Sequence, residues 1–188
     1  MAHERAGRAN PRTRTGNLEW NHIYAGEFAR AEVAVEDWFR ECPNSLYARY
    51  TRILPPLLSG DLALAEHRLD AALQQQPGEP LFVSLQGILH ARRSEPGPAL
   101  DCVRGALASP KSFGHTHHTH YQVASVYALL GDAANAMAWL DRTVDGGFAC
   151  WPFFGRDPHL ALLREEPAFM RLVADLESTY GGLEITRV

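Results

Sequence analysis

Residues 121–140 read YQVASVYALLGDAANAMAWL and decide the fold class of this chain. Before the central Gly131-Asp132 pair, apolar and small side chains recur every three residues, and after it they recur every three to four. This spacing places them on one face of an α-helix on each side of the pair. Glycine ends a helix by adopting positive φ, and an acidic residue suits the positive N-terminal end of the next helix. The stretch therefore predicts two amphipathic helices joined by a tight turn.

The same turn recurs along the chain at a nearly constant interval. Gly26, Gly60 and Ser94 are each followed by an acidic residue and are spaced 34 residues apart. Gly131 follows Ser94 after 37 residues, so three extra residues fall between units three and four, around residues 111–114. Three glycine turns and one serine variant therefore predict four helix–turn–helix units.

A helix–turn–helix unit of this length resembles the repeat of the tetratricopeptide-repeat (TPR) family. The fourth unit matches the family's signature best, at Ala124, Tyr127, Leu130-Gly131-Asp132, Ala136 and Leu140. Matching positions in the earlier units are Ala31, Val35 and Pro43; Ala65, Leu69, Ala72 and Pro77; and Gly87, Ala99, Val103, Ala106 and Pro110. The first helix of unit one fits least, because Glu19 and His22 occupy small and aromatic positions. The resemblance implies an all-α, right-handed α-solenoid of about four TPR helical hairpins with a C-terminal helical cap.

Residues 113–176 also resemble the C-terminal TPR segment of many bacterial signalling proteins. The resemblance rests on His117-His118-x-x-Tyr121, Gly147-Phe148-x-Cys150-Trp151-Pro152, Asp157-Pro158, Leu163-Arg164, Pro167 and Phe169. The chain departs from that pattern at Ala149, where proline is frequent, and at Trp151, where tyrosine is usual. The resemblance implies a repeat architecture and specifies no ligand.

The sequence divides into four parts. Residues 1–14 are expected to form a disordered leader, 15–155 a repeat array, 156–182 a helical cap and 183–188 a tail. In the cap, Asp157 and Pro158 begin one helix, and Pro167 begins a second. The apolar stripe of that second helix is Phe169, Leu172, Val173, Leu176 and Tyr180. Within the array, Pro55-Pro56 is expected to kink or break the first helix of unit two, because proline removes a backbone donor.

Composition excludes several classes of function. The chain has 188 residues and a net charge of −4, which argues against a nucleic-acid partner. No apolar run approaches the length of a membrane helix. Three cysteines without a C-x-x-C pair favour a reducing, cytoplasmic location. The motifs of serine hydrolases, phosphate-binding loops and zinc proteases are absent from the sequence, so no enzymatic activity is expected.

The TPR resemblance implies a concave groove lined by the first helix of each unit, and the repeat register indicates which residues line it. Its candidate lining residues are Trp20, Tyr24, Tyr47, Tyr50, Leu54, Ile88, Arg92, His118, Tyr121 and Ser125. An exposed apolar groove of this kind suits an amphipathic helix or an extended peptide. The groove therefore predicts a non-catalytic protein–protein interaction or scaffold module, and the resemblance of residues 113–176 to segments of bacterial signalling proteins implies a role in bacterial signalling. The alternative is that the N-terminal segment or a second copy of the chain covers the groove.

A histidine cluster supplies an alternative function. His115, His117, His118 and His120 lie within six residues, and the hairpin geometry returns Cys150 close to them. Imidazole and thiolate are common ligands of divalent transition metals. The alternative reading is thus a metal- or cofactor-responsive sensor using His117, His118, His120 and Cys150. Otherwise these histidines are solvated or bind helix ends, and no cofactor is expected.

Overall fold

The computed structural model describes residues 18–109 and 116–181, and the part of the chain it describes is helical without strands. The predicted leader (1–14), the tail (183–188), the extra residues at 111–114, Pro110 and His115 lie outside the described residues. The helices are α1 (Leu18–Ala25), α2 (Phe28–Glu41), α3 (Leu46–Ser59), α4 (Leu62–Gln75), α5 (Pro80–Arg92), α6 (Pro96–Ala108), α7 (Thr116–Leu129), α8 (Ala133–Asp145), α9 (Trp151–Phe154), a 3₁₀ helix (Pro158–Leu163) and α10 (Pro167–Tyr180).

The first eight helices pair into four consecutive hairpins. Within each hairpin the two helices contact one another, and each hairpin also contacts the next one along the chain. The first helices α1, α3, α5 and α7 additionally contact one another in that order, so they form one continuous layer. The fold is an all-α helical repeat solenoid, as the sequence predicts.

All four predicted turns contain a residue in the left-handed conformation. The φ angles are 75° at Gly26, 96° at Gly60, 60° at Ser94 and 79° at Gly131. Among the described residues, Ser94 is the one non-glycine residue with positive φ. The serine variant of the turn therefore keeps the backbone geometry that glycine adopts without steric cost. The prediction of four equivalent turns is confirmed.

The acidic residues after these turns act in two ways. Asp61 and Asp132 accept hydrogen bonds from backbone N–H groups in the first turn of the following helix, at 3.1 and 3.0 Å. The longer Glu27 and Glu95 make no such cap and instead contact the Nδ1 atom of a histidine five residues earlier. Aspartate therefore stabilises the turn by capping the following helix, whereas glutamate stabilises it by binding a histidine of the preceding helix.

Small side chains at equivalent positions allow the helices to pack closely. Ala31, Ala65, Ala99 and Ala136 share one position of the four second helices, and each is fully buried. One turn later the shared position holds the buried side chains of Val35, Leu69, Val103 and Leu140. The structure therefore repeats the interval that the sequence shows.

The proline pair does not break α3. The helix runs from Leu46 to Ser59 with Pro55 and Pro56 inside it, so the expected break is wrong. Pro56 lacks the amide hydrogen that would bond the carbonyl of Arg52 four residues earlier. The Arg68 side chain of α4 donates to that carbonyl from Nη1 at 2.7 Å. A side chain from the second helix of the hairpin thus replaces the missing backbone bond.

The C-terminal part partly follows the prediction. Asp157 caps the 3₁₀ helix with Pro158 at its first position, and α10 begins at Pro167. In α10, Phe169 and Leu176 are buried, while Tyr180 is exposed. The short α9 and the 3₁₀ geometry of residues 158–163 were not predicted.

Candidate functional site

The structure brings most of the predicted groove residues together. Eight of the ten line one cavity between α1, α3, α5 and α7, and Tyr47 and Arg92 lie outside its lining. Six of the ten are at most 9% exposed, namely Tyr50, Leu54, Ile88, His118, Tyr121 and Ser125. Trp20, Tyr24, Tyr47 and Arg92 are half-buried. Most of the side chains predicted to line the groove are therefore buried inside the protein. The expectation of an open groove along them is wrong.

The chain's own C-terminal part covers the inner surface. Residues 148–163, here called the covering segment, return from the end of α8 and contact α7 through the 3₁₀ helix and α1 through α9. Phe148, Phe153, Asp157 and His159 of this segment line the cavity. Sequence reasoning had considered the N-terminal segment or a second copy as the cover. The covering segment crosses the predicted boundary between array and cap at residue 155.

Aromatic rings fill the contact between the covering segment and α7. The Tyr121 ring lies with its centroid 5.3–5.5 Å from those of Phe148, Phe153 and Phe154. On the other side of the cavity, the Trp20 ring stacks on His118 at 5.2 Å, with an angle of 8° between the ring planes. These contacts close the solenoid around an aromatic centre.

A first buried polar group joins three of the inner helices. Ser84 of α5 donates to the side-chain carbonyl of Gln122 on α7, and the Gln122 amide donates to the Tyr50 hydroxyl of α3 at 2.5 Å. Burial raises the pKa of Tyr50 well above its ordinary value. The network is fully interior, so it fixes the register of α3, α5 and α7.

A second buried polar group attaches the covering segment to α7. The Tyr121 hydroxyl donates to Asp157 Oδ2 at 2.6 Å, and Asp157 Oδ1 accepts the backbone N–H of His159 at 2.7 Å. Burial, and then the neighbouring Asp157 carboxylate, raise the pKa of Tyr121, so the phenol stays protonated and donates. The ring nitrogen Nδ1 of His159 lies 3.4 Å from Asp157 Oδ1.

Sequence reasoning missed three of these polar residues as parts of the site. Gln122 and His159 carried no motif, and Asp157 was interpreted as a helix cap alone. The proline after Asp157 predicts that Asp157 caps a helix. The hydrogen bond between Asp157 and Tyr121, however, joins residues 36 positions apart in the sequence. No local pattern reports such a contact.

The space left inside the site is small. The cavity has a volume of about 30 Å³, which suits one or two water molecules and is too small for a peptide side chain. The hydroxyl of Ser125 donates to the Tyr121 carbonyl at 3.0 Å, so it is already engaged. The site therefore consists of packed aromatic rings and internally paired polar groups.

Of the predicted metal ligands, His117 and His118 have neighbouring rings, with centroids 4.6 Å apart. The His117 ring makes a 3.1 Å hydrogen bond with the carbonyl of Gly146 at the end of α8, and the His120 ring packs on Trp139. Burial lowers the pKa of His120 and raises that of the Cys150 thiol. Within residues 18–109 and 116–181, no group of three or more His, Cys, Asp or Glu side chains is placed to hold a metal ion. The contact of His117 matches the reading in which a histidine binds a helix end.

Comparisons with family models and with curated proteins give no match. Among the described helices, none combines the length and the apolar character needed to cross a membrane.

Proposed function

We propose that this chain is a non-catalytic protein–protein interaction module, a TPR-type solenoid that acts as a scaffold or regulatory unit in bacterial signalling. The support for the TPR type is the repeated hairpin with its interval of 34 residues and its buried alanine at one shared position. Helical solenoids of this kind serve mainly as extended binding surfaces. Its three cysteines are unpaired, which supports a cytoplasmic location.

The partially exposed aromatic side chains support one binding surface. Trp20 and Tyr24 of α1 and Tyr47 of α3 are half-buried and lie on two helices in contact with each other. We call these three residues the rim. Tryptophan and tyrosine dominate the energetics of many protein interfaces, because a large ring can bury area against a partner at low entropic cost. The single observation that supports this binding surface is that the three aromatic side chains of the rim are partly exposed to solvent. A partner helix or extended peptide would lie along it.

Tyr47→Ala tests this surface with the least damage to the fold, because Tyr47 does not line the cavity. We expect the variant to bind a partner isolated from the native host about tenfold or more weakly. Its melting temperature should fall no more than that of Tyr127→Ala, because both tyrosines are partly buried against the core. Tyr127→Ala is the matched control, since Tyr127 is also half-buried on a first helix but belongs to α7, whereas the rim belongs to α1 and α3. Equal binding by both variants, measured by calorimetry, would place the partner elsewhere.

A further inference from the structure

The attachment of the covering segment to α7 depends on one buried carboxylate. Asp157 is 1% exposed, and its two oxygens accept from the Tyr121 hydroxyl and from the His159 backbone. The Tyr121 bond is the hydrogen bond of this carboxylate that connects the segment to the solenoid. Arg164, the residue directly after the covering segment, donates to the carbonyl groups of Arg156 and Asp157 within it.

His159 is the titratable base of this attachment. Its side chain is 3% exposed and lines the cavity, and its Nε2 atom has no hydrogen-bond partner among the described residues. A protonated imidazole has an N–H donor on each ring nitrogen and needs two hydrogen-bond acceptors. A neutral imidazole has one N–H donor and needs only one acceptor. The buried position therefore suits the neutral ring.

The groups that face His159 come from every element packed around the cavity. Asp157 carries a negative charge on the covering segment, and Arg92 of α5 carries a positive charge. The remaining titratable groups that line the cavity are Tyr24 of α1, Tyr50 of α3, and His118 and Tyr121 of α7. Asp157 and the backbone of Leu57 in α3 favour a protonated His159, while burial and Arg92 oppose it. Burial is the strongest of these influences, so the pKa of His159 is lowered.

We propose that His159 and Asp157 form an acid-sensitive latch, in which protonation of His159 releases the covering segment from α7. Opening lets water reach Nε2, so the open form binds a proton more readily than the closed form. By linkage, a proton that binds the open form preferentially shifts the equilibrium toward opening as the pH falls. The inner aromatic surface, including Tyr50 and Tyr121, then becomes accessible.

Hydrogen exchange as a function of pH tests the latch in the full chain. We expect the opening equilibrium of the covering segment, after correction for intrinsic exchange, to rise by up to about tenfold per pH unit below 6.5 while the closed form keeps His159 neutral. Amides of α5 and α6 provide the internal reference and are expected to change less. The amide hydrogen of Leu160, which bonds the Asp157 carbonyl, is a suitable probe.

Two variants assign the effect to one histidine. His159→Leu keeps an apolar side chain in the site and is expected to flatten the pH dependence of opening. His120→Leu is the matched control, because it removes a half-buried imidazole that lies on α7 and packs on Trp139. The control is expected to keep the pH dependence of wild type.

Three outcomes would overturn the latch. These are an equal acceleration in α5 and α6, a pH dependence retained in His159→Leu, and an imidazole of His159 that titrates near 6.5 in wild type. The last measurement, by NMR of the histidine ring protons, needs no variant and decides the question if His159→Leu fails to fold.

Discussion

Arg68 is the side chain on which the packing of three helices depends. Its guanidinium contacts Glu32 and Glu36 of α2, the latter at 2.8 Å, and donates to the Arg52 carbonyl in α3. The Arg68 side chain is only 6% exposed, whereas both glutamates are about one third exposed. The arginine therefore compensates a defect created by Pro56 and neutralises two carboxylates at once.

Replacing this arginine is expected to be costly. Arg68→Met should lower the free energy of unfolding by about 2–4 kcal/mol, because it leaves the Arg52 carbonyl and the Glu32 carboxylate without their partner, while Glu36 keeps its bond from Arg52. Arg93→Met, which breaks an exposed pair with Glu66, should cost much less, because water screens the attraction between the two charges. Urea denaturation of the two variants gives the comparison.

A double-mutant cycle tests why Arg68 matters. Pro56→Ala restores the amide hydrogen that can bond the Arg52 carbonyl inside α3. In that background, Arg68→Met should cost about 1 kcal/mol less than in wild type, since one of its acceptors now has another donor. Additive losses would mean that the ion pairs alone account for the role of Arg68.

The strained backbone at Ser94 predicts a substitution that raises the free energy of unfolding. Ser94→Gly should stabilise the protein by about 0.5–1 kcal/mol, because glycine adopts φ of 60° without the steric penalty of a Cβ atom. Gly131→Ser makes the reverse change at the equivalent position, where an added Cβ meets no atom within 4 Å. It should therefore destabilise by a similar amount through the backbone alone. A thermal melt of both variants that shifts in the same direction would contradict the equivalence of the turns.

At the scale of elements, the covering segment is part of the core. Phe154, Leu160 and Leu163 are at most 1% exposed, although they lie after the last repeat. A solenoid needs a terminal unit of this kind, because its last hairpin otherwise exposes an apolar face. Here the terminal unit also covers the inner surface of the earlier hairpins.

Loss of this element should be severe. Phe154→Ala is expected to cost about 3–5 kcal/mol, because it removes a fully buried ring that stacks on Tyr121. Met170→Ala in α10 is the control, since its side chain is 52% exposed, and it should cost less than about 0.5 kcal/mol. Deletion of residues 156–188 should produce aggregation or a large fall in melting temperature. A soluble truncation with an unchanged melting temperature would show that the segment is dispensable.

At the scale of the whole molecule, the solenoid closes on itself. In an open repeat array each unit contacts only its neighbours, so stability is a sum of local terms. In this chain α9 contacts α1, which connects the last part of the array to its first helix. We expect the described hairpins to unfold together rather than from one end.

The closed molecule should lose stability as the pH falls through the range in which histidine titrates. Burial lowers the pKa of His120 and His159 below 6.5, so the unfolded chain binds more protons and stability falls as the pH drops below about 6.5. Hydrogen bonds lower the pKa of Glu27, Glu66 and Asp132. Their contribution is lost as the pH falls through their folded pKa values, but water screens these exposed groups, and the raised pKa of buried Glu19 opposes the loss. Denaturant melts from pH 8 to 5 should show the histidine slope, and the double variant His120→Leu, His159→Leu should lose it.

The sequence determined the repeat and its turns. The interval of 34 residues, the acidic residue after each turn and the small residues at Ala31, Ala65, Ala99 and Ala136 all follow from local periodicity. Such patterns report which face of a helix is buried, because each side chain's position on the helix is fixed by its place in the sequence. The helical class, the four turns and the start of α10 were therefore predictable.

Tertiary structure alone decided what fills the inner surface. Residues such as Tyr50 and Tyr121 have the same helical position whether a groove is open or covered, so periodicity could not reveal the covering segment. The bond from Tyr121 to Asp157 and that from Arg68 to the Arg52 carbonyl join residues 36 and 16 positions apart. Both depend on how the hairpins stack and where the chain returns. That path follows from the packing of the whole solenoid, because no short stretch of sequence contains both partners of these contacts.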